Sequence, residues 1–275
     1  MRPYKCMDLK LNGKTALVTG GSAGIGRAIA ALLASEGVKV AICGRRQERL
    51  DAVSEELRRS TGNQVLTYRA DVTVPADIDR LVSEAQEDLG GFDILVNNAG
   101  TGIYKPFLDV ADDELVHGMQ MNFFSMFRVS QRVVPWMVQQ GGGTIVNVSG
   151  ISGSSVLDAP FFSTCTGPAK AAEDRFTKAL AMEFGPSNIR VNGVAPGRIN
   201  APERFGRWQD SIANAADAEM QVQELKKEWG RRIVLPEHRW GEVDEIASLV
   251  AFAASPVCGF LTGTILVADG GETHD

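Results

Sequence analysis

From Thr19 to Gly26 the chain reads Thr-Gly-Gly-Ser-Ala-Gly-Ile-Gly, with glycines at 20, 21, 24 and 26. Glycine permits a tight turn, and its missing Cβ lets the backbone approach a pyrophosphate. Where a strand enters such a turn and a helix leaves it, free N–H groups and the positive helix end face the anion. The chemistry implied is dinucleotide binding, with Gly20, Ser22, Gly24, Ile25 and Gly26 at the phosphates. A second cue is Cys43-Gly44-Arg45-Arg46 at the end of the next apolar segment. NAD(H) binding calls for a carboxylate there to accept the ribose 2′-hydroxyl, and none is present. Arg45 can instead hold a 2′-phosphate in bidentate fashion, so NADP(H) is expected over NAD(H). Arg46 either contributes or begins a solvated helix.

The elements that would position these groups are legible in the apolar pattern. Thr15–Thr19, Val38–Cys43, Val65–Tyr68, Ile94–Val96, Thr144–Val148, Arg190–Val194 and Thr264–Val267 read as short strands covered on both faces. Amphipathic stretches lie between them. Arg27–Glu36 carries Ile29, Leu32 and Leu33 at helical spacing, and Glu48–Arg59 carries Leu50, Val53 and Leu57. Strand and helix alternate without a linker, which predicts one α/β domain: a Rossmann-type, doubly wound parallel sheet with helices on both faces.

The bulk properties agree. A chain of 275 residues, 44% hydrophobic, can bury one large core. A net charge of −6 argues against nucleic-acid binding. Cys6, Cys43, Cys165 and Cys258 form no CxxC pair, so neither a disulfide framework nor a metal site is expected. No secretory signal and no apolar run of membrane length is read, so the expected compartment is the cytoplasm. From Arg198 to Pro236 the rhythm breaks: no strand is expected, polar residues dominate, and Asn214–Trp229 reads as helix. Two readings stand for this insertion, a surface helix pair and a substrate lid; the lid is preferred because long excursions in compact domains are usually functional.

Taken together, these residues resemble the short-chain dehydrogenase/reductase family over nearly the whole chain. Thr19–Gly26 resembles its TGxxxGxG motif, and Asn97-Asn98-Ala99-Gly100 its NNAG motif. Asp71-Val72 is similar to the pair that contacts adenine, and Asn122 to the asparagine of the catalytic tetrad. Pro196-Gly197 resembles the turn on the nicotinamide side, which places Ile199 at the cofactor as well. Leu261–Gly271 resembles the C-terminal strand and turn. Lys170 aligns with the lysine of YxxxK, a cofactor ligand and catalytic residue in the family.

The catalytic pieces depart from that pattern. Thr166 stands where the tyrosine is expected, and the chain's tyrosines are Tyr4, Tyr68 and Tyr104. Gly150 occupies the position of the family serine, leaving Ser149 or Ser152 as substitutes. An aliphatic hydroxyl is far too weak an acid to protonate a carbonyl oxygen near neutral pH. Three readings follow. In the first, the enzyme reduces a small carbonyl, or oxidises an alcohol, with a replacement acid: Tyr104, Asp158 or Cys165. In the second, an imine or similarly activated substrate takes hydride without a protein acid. In the third, the fold serves a lyase, isomerase, cyclase or nucleotide-binding protein without hydride transfer. The resemblance further implies a homodimer or homotetramer through the helices after the fourth and fifth strands. Phe123, Phe124, Phe127, Phe176 and Leu180 read there as either interface or core. His117 and His238 read as surface residues.

Overall fold

The computed structural model describes residues 8–157, 162–201 and 218–273. Seven parallel strands form the main sheet in the order β3-β2-β1-β4-β5-β6-β9. They are β1 (Thr15–Thr19), β2 (Lys39–Gly44), β3 (Val65–Arg69), β4 (Ile94–Asn97), β5 (Gly143–Val148), β6 (Ile189–Pro196) and β9 (Ile265–Ala268). Each expected strand is present within about two residues of its predicted ends. Successive strand residues face opposite sides, so each strand feeds two cores. Ala16, Val18, Val40, Ile42, Val146 and Val194 pack under α1 (Gly24–Ser35), α2 (Gln47–Thr61) and α8 (Val243–Ala254). Leu17, Ala41, Leu95, Ile145 and Val191 pack under α3 (Pro75–Leu89), α5 (Ser125–Gln139) and α6 (Thr166–Phe184). This is the doubly wound arrangement expected.

The strand order reverses between β1 and β4, where the crossovers diverge and a crevice opens beyond the strand ends. Helix α4 (Asp112–Met119) leads through a π-helical turn at Gln120–Phe124 into α5. Phe123, Phe127 and Phe176 form an aromatic cluster between this turn and α6, with ring centroids 5.2–6.2 Å apart. Phe127 keeps an exposed edge, whereas Leu180 is core.

Two details correct the reading of the late insertion. Ile199–Asn200 is a short strand (β7), paired in parallel with Gly241–Glu242 (β8), so the segment is not strandless. Its helix, α7, runs over Ala218–Trp229. The upstream part of the proposed helix, and residues 202–217 of the proposed lid, lie outside the described residues. Trp229 packs against Ile151 and Leu157 and also against Val222, Ile233 and Trp240. Among the described residues, no helix is long and apolar enough to cross a membrane, and no cluster of three metal-ligating side chains occurs.

Candidate active site

A cleft of about 500 Å³ lies over the carboxyl ends of β1, β4, β5 and β6. Its upper wall is the glycine turn. Gly20 has φ +67°, a conformation that side chains disfavour. A Cβ on Gly26 would stand 2.3 Å from Gly20 O and 2.4 Å from Asn98 Nδ2, so glycine there lets α1 seat against the turn. No side chain caps the α1 N-terminus, and its first N–H groups are left for an anion. The turn is tied to the NNAG segment. Thr19 Oγ1 accepts from the N–H groups of Asn98 and Ala99 at 3.0 and 3.1 Å, and Asn98 Nδ2 donates to Thr19 O at 3.0 Å.

The cleft collects the predicted nucleotide residues from separate loops. Gly20, Ser22, Gly24, Ile25 and Gly26 line it from the first turn. Arg45 lines it after β2, and Asp71 and Val72 after β3. Asn98, Ala99 and Gly100 line it after β4, and Pro196, Gly197 and Ile199 after β6. Gly44 fits the same wall: a Cβ there would come 3.0 Å from Ser22 Oγ. Arg45 and Arg46 are both exposed at the start of α2, and among the described residues neither guanidinium has an ion-pair partner.

At the far end, Lys170 reaches the floor from α6. Its Nζ lies 3.4 Å from where a Cβ on Gly100 would stand, and its Cε 3.9 Å from the corresponding point at Gly150. A side chain at Gly150 would therefore sit in ordinary contact with Lys170 and with Pro196 O. Arg198 and Glu272 also line the cleft, joined by a buried ion pair with Nη2–Oε1 at 2.7 Å. Burial pushes the Glu272 carboxyl up, and Arg198 opposes the shift.

The other catalytic candidates fall into different places. Tyr104 lines the cleft, half-exposed at its rim. Ser149 lines it through β5's end, and its hydroxyl turns toward Asp174 without completing a hydrogen bond of good geometry. Thr166 is 1% exposed, and its hydroxyl is spent on one backbone unit: it donates to Ile103 O at 2.8 Å and accepts from Ile103 N at 2.7 Å. Asn122, wholly buried in the π-helical turn, accepts from Thr101 N and donates to Thr101 O, both at 3.0 Å. Thr166 and Asn122 thus hold the 101–103 loop rather than facing the cleft. Asp158 lies outside the described residues. Cys165 is buried, and burial, followed by Glu114, pushes its thiol up, away from acid duty. His117 and His238 are on the surface.

One residue at the site was not singled out from the sequence. Glu173 is wholly buried, and both its oxygens lie 3.1 Å from Lys170 Nζ. The available signal was its place on the buried stripe of α6 with Thr166, Ala169, Thr177 and Leu180, where an acid is out of pattern.

Comparison with known proteins agrees with this geometry. A model of the short chain dehydrogenase family matches residues 14–211. The chain belongs to the short-chain dehydrogenase family. This family of oxidoreductases includes the oxidoreductase UcpA of Escherichia coli K12, 36% identical over 267 residues, covering 96% of each chain. It also includes the 7alpha-hydroxysteroid dehydrogenase of Escherichia coli K12, 32% identical and covering 98% of this chain and 97% of that one. Among solved structures, L-sorbose reductase from Gluconobacter frateurii, complexed with NADPH and L-sorbose, superposes with a TM-score of 0.88 at 31% identity, over 98% of this chain and all of the other. The family's dehydrogenase fold therefore extends across the whole chain.

Proposed function

We propose that this short-chain dehydrogenase is an NADP(H)-dependent oxidoreductase acting on a small carbonyl, alcohol or imine substrate through a non-standard catalytic site. The observation that carries the proposal is the continuous cleft running from Arg45, without an ion-pair partner among the described residues, past the glycine turn to Lys170. The residues fit the dinucleotide: a Cβ would fill the cradle at Gly26, and Arg45 offers a cation where NAD(H) binding would call for a carboxylate. Gly20 to Gly26 would hold the pyrophosphate, Asp71 and Val72 the adenine, and Lys170 the nicotinamide ribose. When bound, the reduced nicotinamide supplies a hydride to an electrophilic carbon. Asn122 and Thr166 keep the 101–103 loop in place beside the reacting face. Trp229, packed on Ile151 and Leu157, supports a lid reading for the late insertion.

The catalytic end favours substrates that need little help from a hydroxyl. Thr166 is spent on Ile103 and Gly150 has no side chain, so neither position supplies a hydroxyl to the cleft; the serine substitutes Ser149 and Ser152 line it instead. An imine would accept hydride directly; a ketone would draw its proton from Tyr104 or Lys170 at the rim and floor. The exposed edge of Phe127 and the exposed Met182 on α5 and α6 support assembly into a homodimer or homotetramer.

The test is a fluorescence titration with NADPH and NADH, followed by a panel of ketones and cyclic imines. NADPH is expected to bind more tightly, and Arg45→Ala to remove about 1.5–3 kcal/mol of NADPH affinity with little effect on NADH. Binding of neither nucleotide would leave the non-redox reading standing instead.

A further inference from the structure

Lys170 and Glu173 stand three residues apart on α6, which places their side chains on one face. Lys170 points into the cleft and Glu173 lies behind it, away from the lining. Among the described residues, Lys170 is the sole hydrogen-bond donor to the Glu173 carboxylate. Burying a carboxylate is costly, and an apolar side chain of similar volume would serve the packing at least as well. The groups bearing on Glu173 are few. Lys170 favours its ionised form and Asp174 disfavours it; Asp174 is itself met by Ser149, Lys170 and Lys178. Ser149 Oγ and Asp174 Oδ1, both buried, complete no hydrogen bond in this cluster.

We propose that Glu173 is a positioning residue for Lys170: it holds the ammonium at the cleft floor, where among the described residues no tyrosine or serine does so. This rests on the reading of the cleft as a nucleotide site. With Thr166 committed to Ile103, the arrangement replaces a hydroxyl–lysine pair by a carboxylate–lysine pair. Removing the carboxylate takes both charged acceptors from the ammonium, so the lysine should be held less firmly and react more readily.

The experiment follows the reactivity of Lys170 itself. Wild type, Glu173→Gln and Glu173→Asp are labelled with trace acetic anhydride from about pH 6 to about pH 10, with and without NADPH, and Lys170 acetylation is read by peptide mass spectrometry against Lys178. In Glu173→Gln the labelling of Lys170 relative to Lys178 is expected to rise about tenfold, because the ammonium loses both carboxylate acceptors. Glu173→Asp, whose carboxylate is one methylene shorter, should fall between the two. NADPH should protect Lys170 in wild type. Equal Lys170 labelling in wild type and Glu173→Gln would overturn the proposal; if the glutamine variant does not fold, equal labelling in wild type and Glu173→Asp does so. Failure of NADPH to bind or protect would instead overturn the nucleotide reading, while the labelling without nucleotide still decides the part played by Glu173.

Discussion

Both carboxylate oxygens of Glu173 sit 3.1 Å from the Lys170 ammonium, and the carboxylate has no exposed surface. Burial pushes Glu173 up to about 7 from its ordinary 4.5, although Lys170 pulls the other way. The folded protein therefore keeps a proton that the unfolded chain releases, and folding takes up that proton between about pH 4.5 and about pH 7. Stability from this group is fully present below that window and lost as pH rises through it. The difference in unfolding free energy between wild type and Glu173→Gln, from urea titrations at stepped pH, should decline across the window and level off on both sides. A flat difference would show that Glu173 is ionised in the fold at every pH tested.

Gly26 is confined by its neighbours. Adding a methyl group brings it 2.3 Å from Gly20 O, a backbone atom that can move only if the phosphate turn moves. Gly26→Ala should lower stability by about 1–3 kcal/mol and weaken NADPH binding more than that loss explains. Thermal unfolding and nucleotide titration on the same sample separate the two effects.

Thr166 is a structural clamp in this chain. Thr166→Val leaves the N–H and C=O of Ile103 without their partner, at a cost of about 1–3 kcal/mol. Because the hydroxyl does not face the cleft, NADPH affinity should stay within about twofold of wild type at temperatures where the variant is folded. A loss of affinity exceeding tenfold would return Thr166 to the binding machinery.

Arg190 on β6 binds the end of α8 to the sheet. Its guanidinium donates to the carbonyls of Ala253, Ala254, Ser255, Cys258 and Leu261 and to Thr144 Oγ1, at 3.0–3.2 Å. A cation at the negative end of a helix is favourable as well. Arg190→Met should cost at least about 3 kcal/mol, since several buried carbonyls lose their donor at once. Arg190→Lys should recover little, because one ammonium cannot span the fork. Urea midpoints of both variants check this.

The sequence by itself determined the sheet and the glycine turn, because both are written in short-range pattern. Strands buried on two faces show as brief β-branched runs, and Gly20 to Gly26 lie within one turn of each other. The two-residue strand at Ile199 escaped notice, since its partner, Gly241, lies far along the chain and no alternation can develop over two residues. The catalytic end was only half legible. That Thr166 stands four residues before Lys170, where the resemblance leads one to expect a tyrosine, is visible by counting; that its hydroxyl is spent on Ile103, across 63 residues, is not. Glu173 shows the same limit most clearly. In a helix read alone, an acid three residues after a lysine belongs to a solvated surface pair. Only the packing of α6 against β6 removes the water, brings both oxygens to Lys170, and turns a surface pattern into a buried pair at the cleft floor.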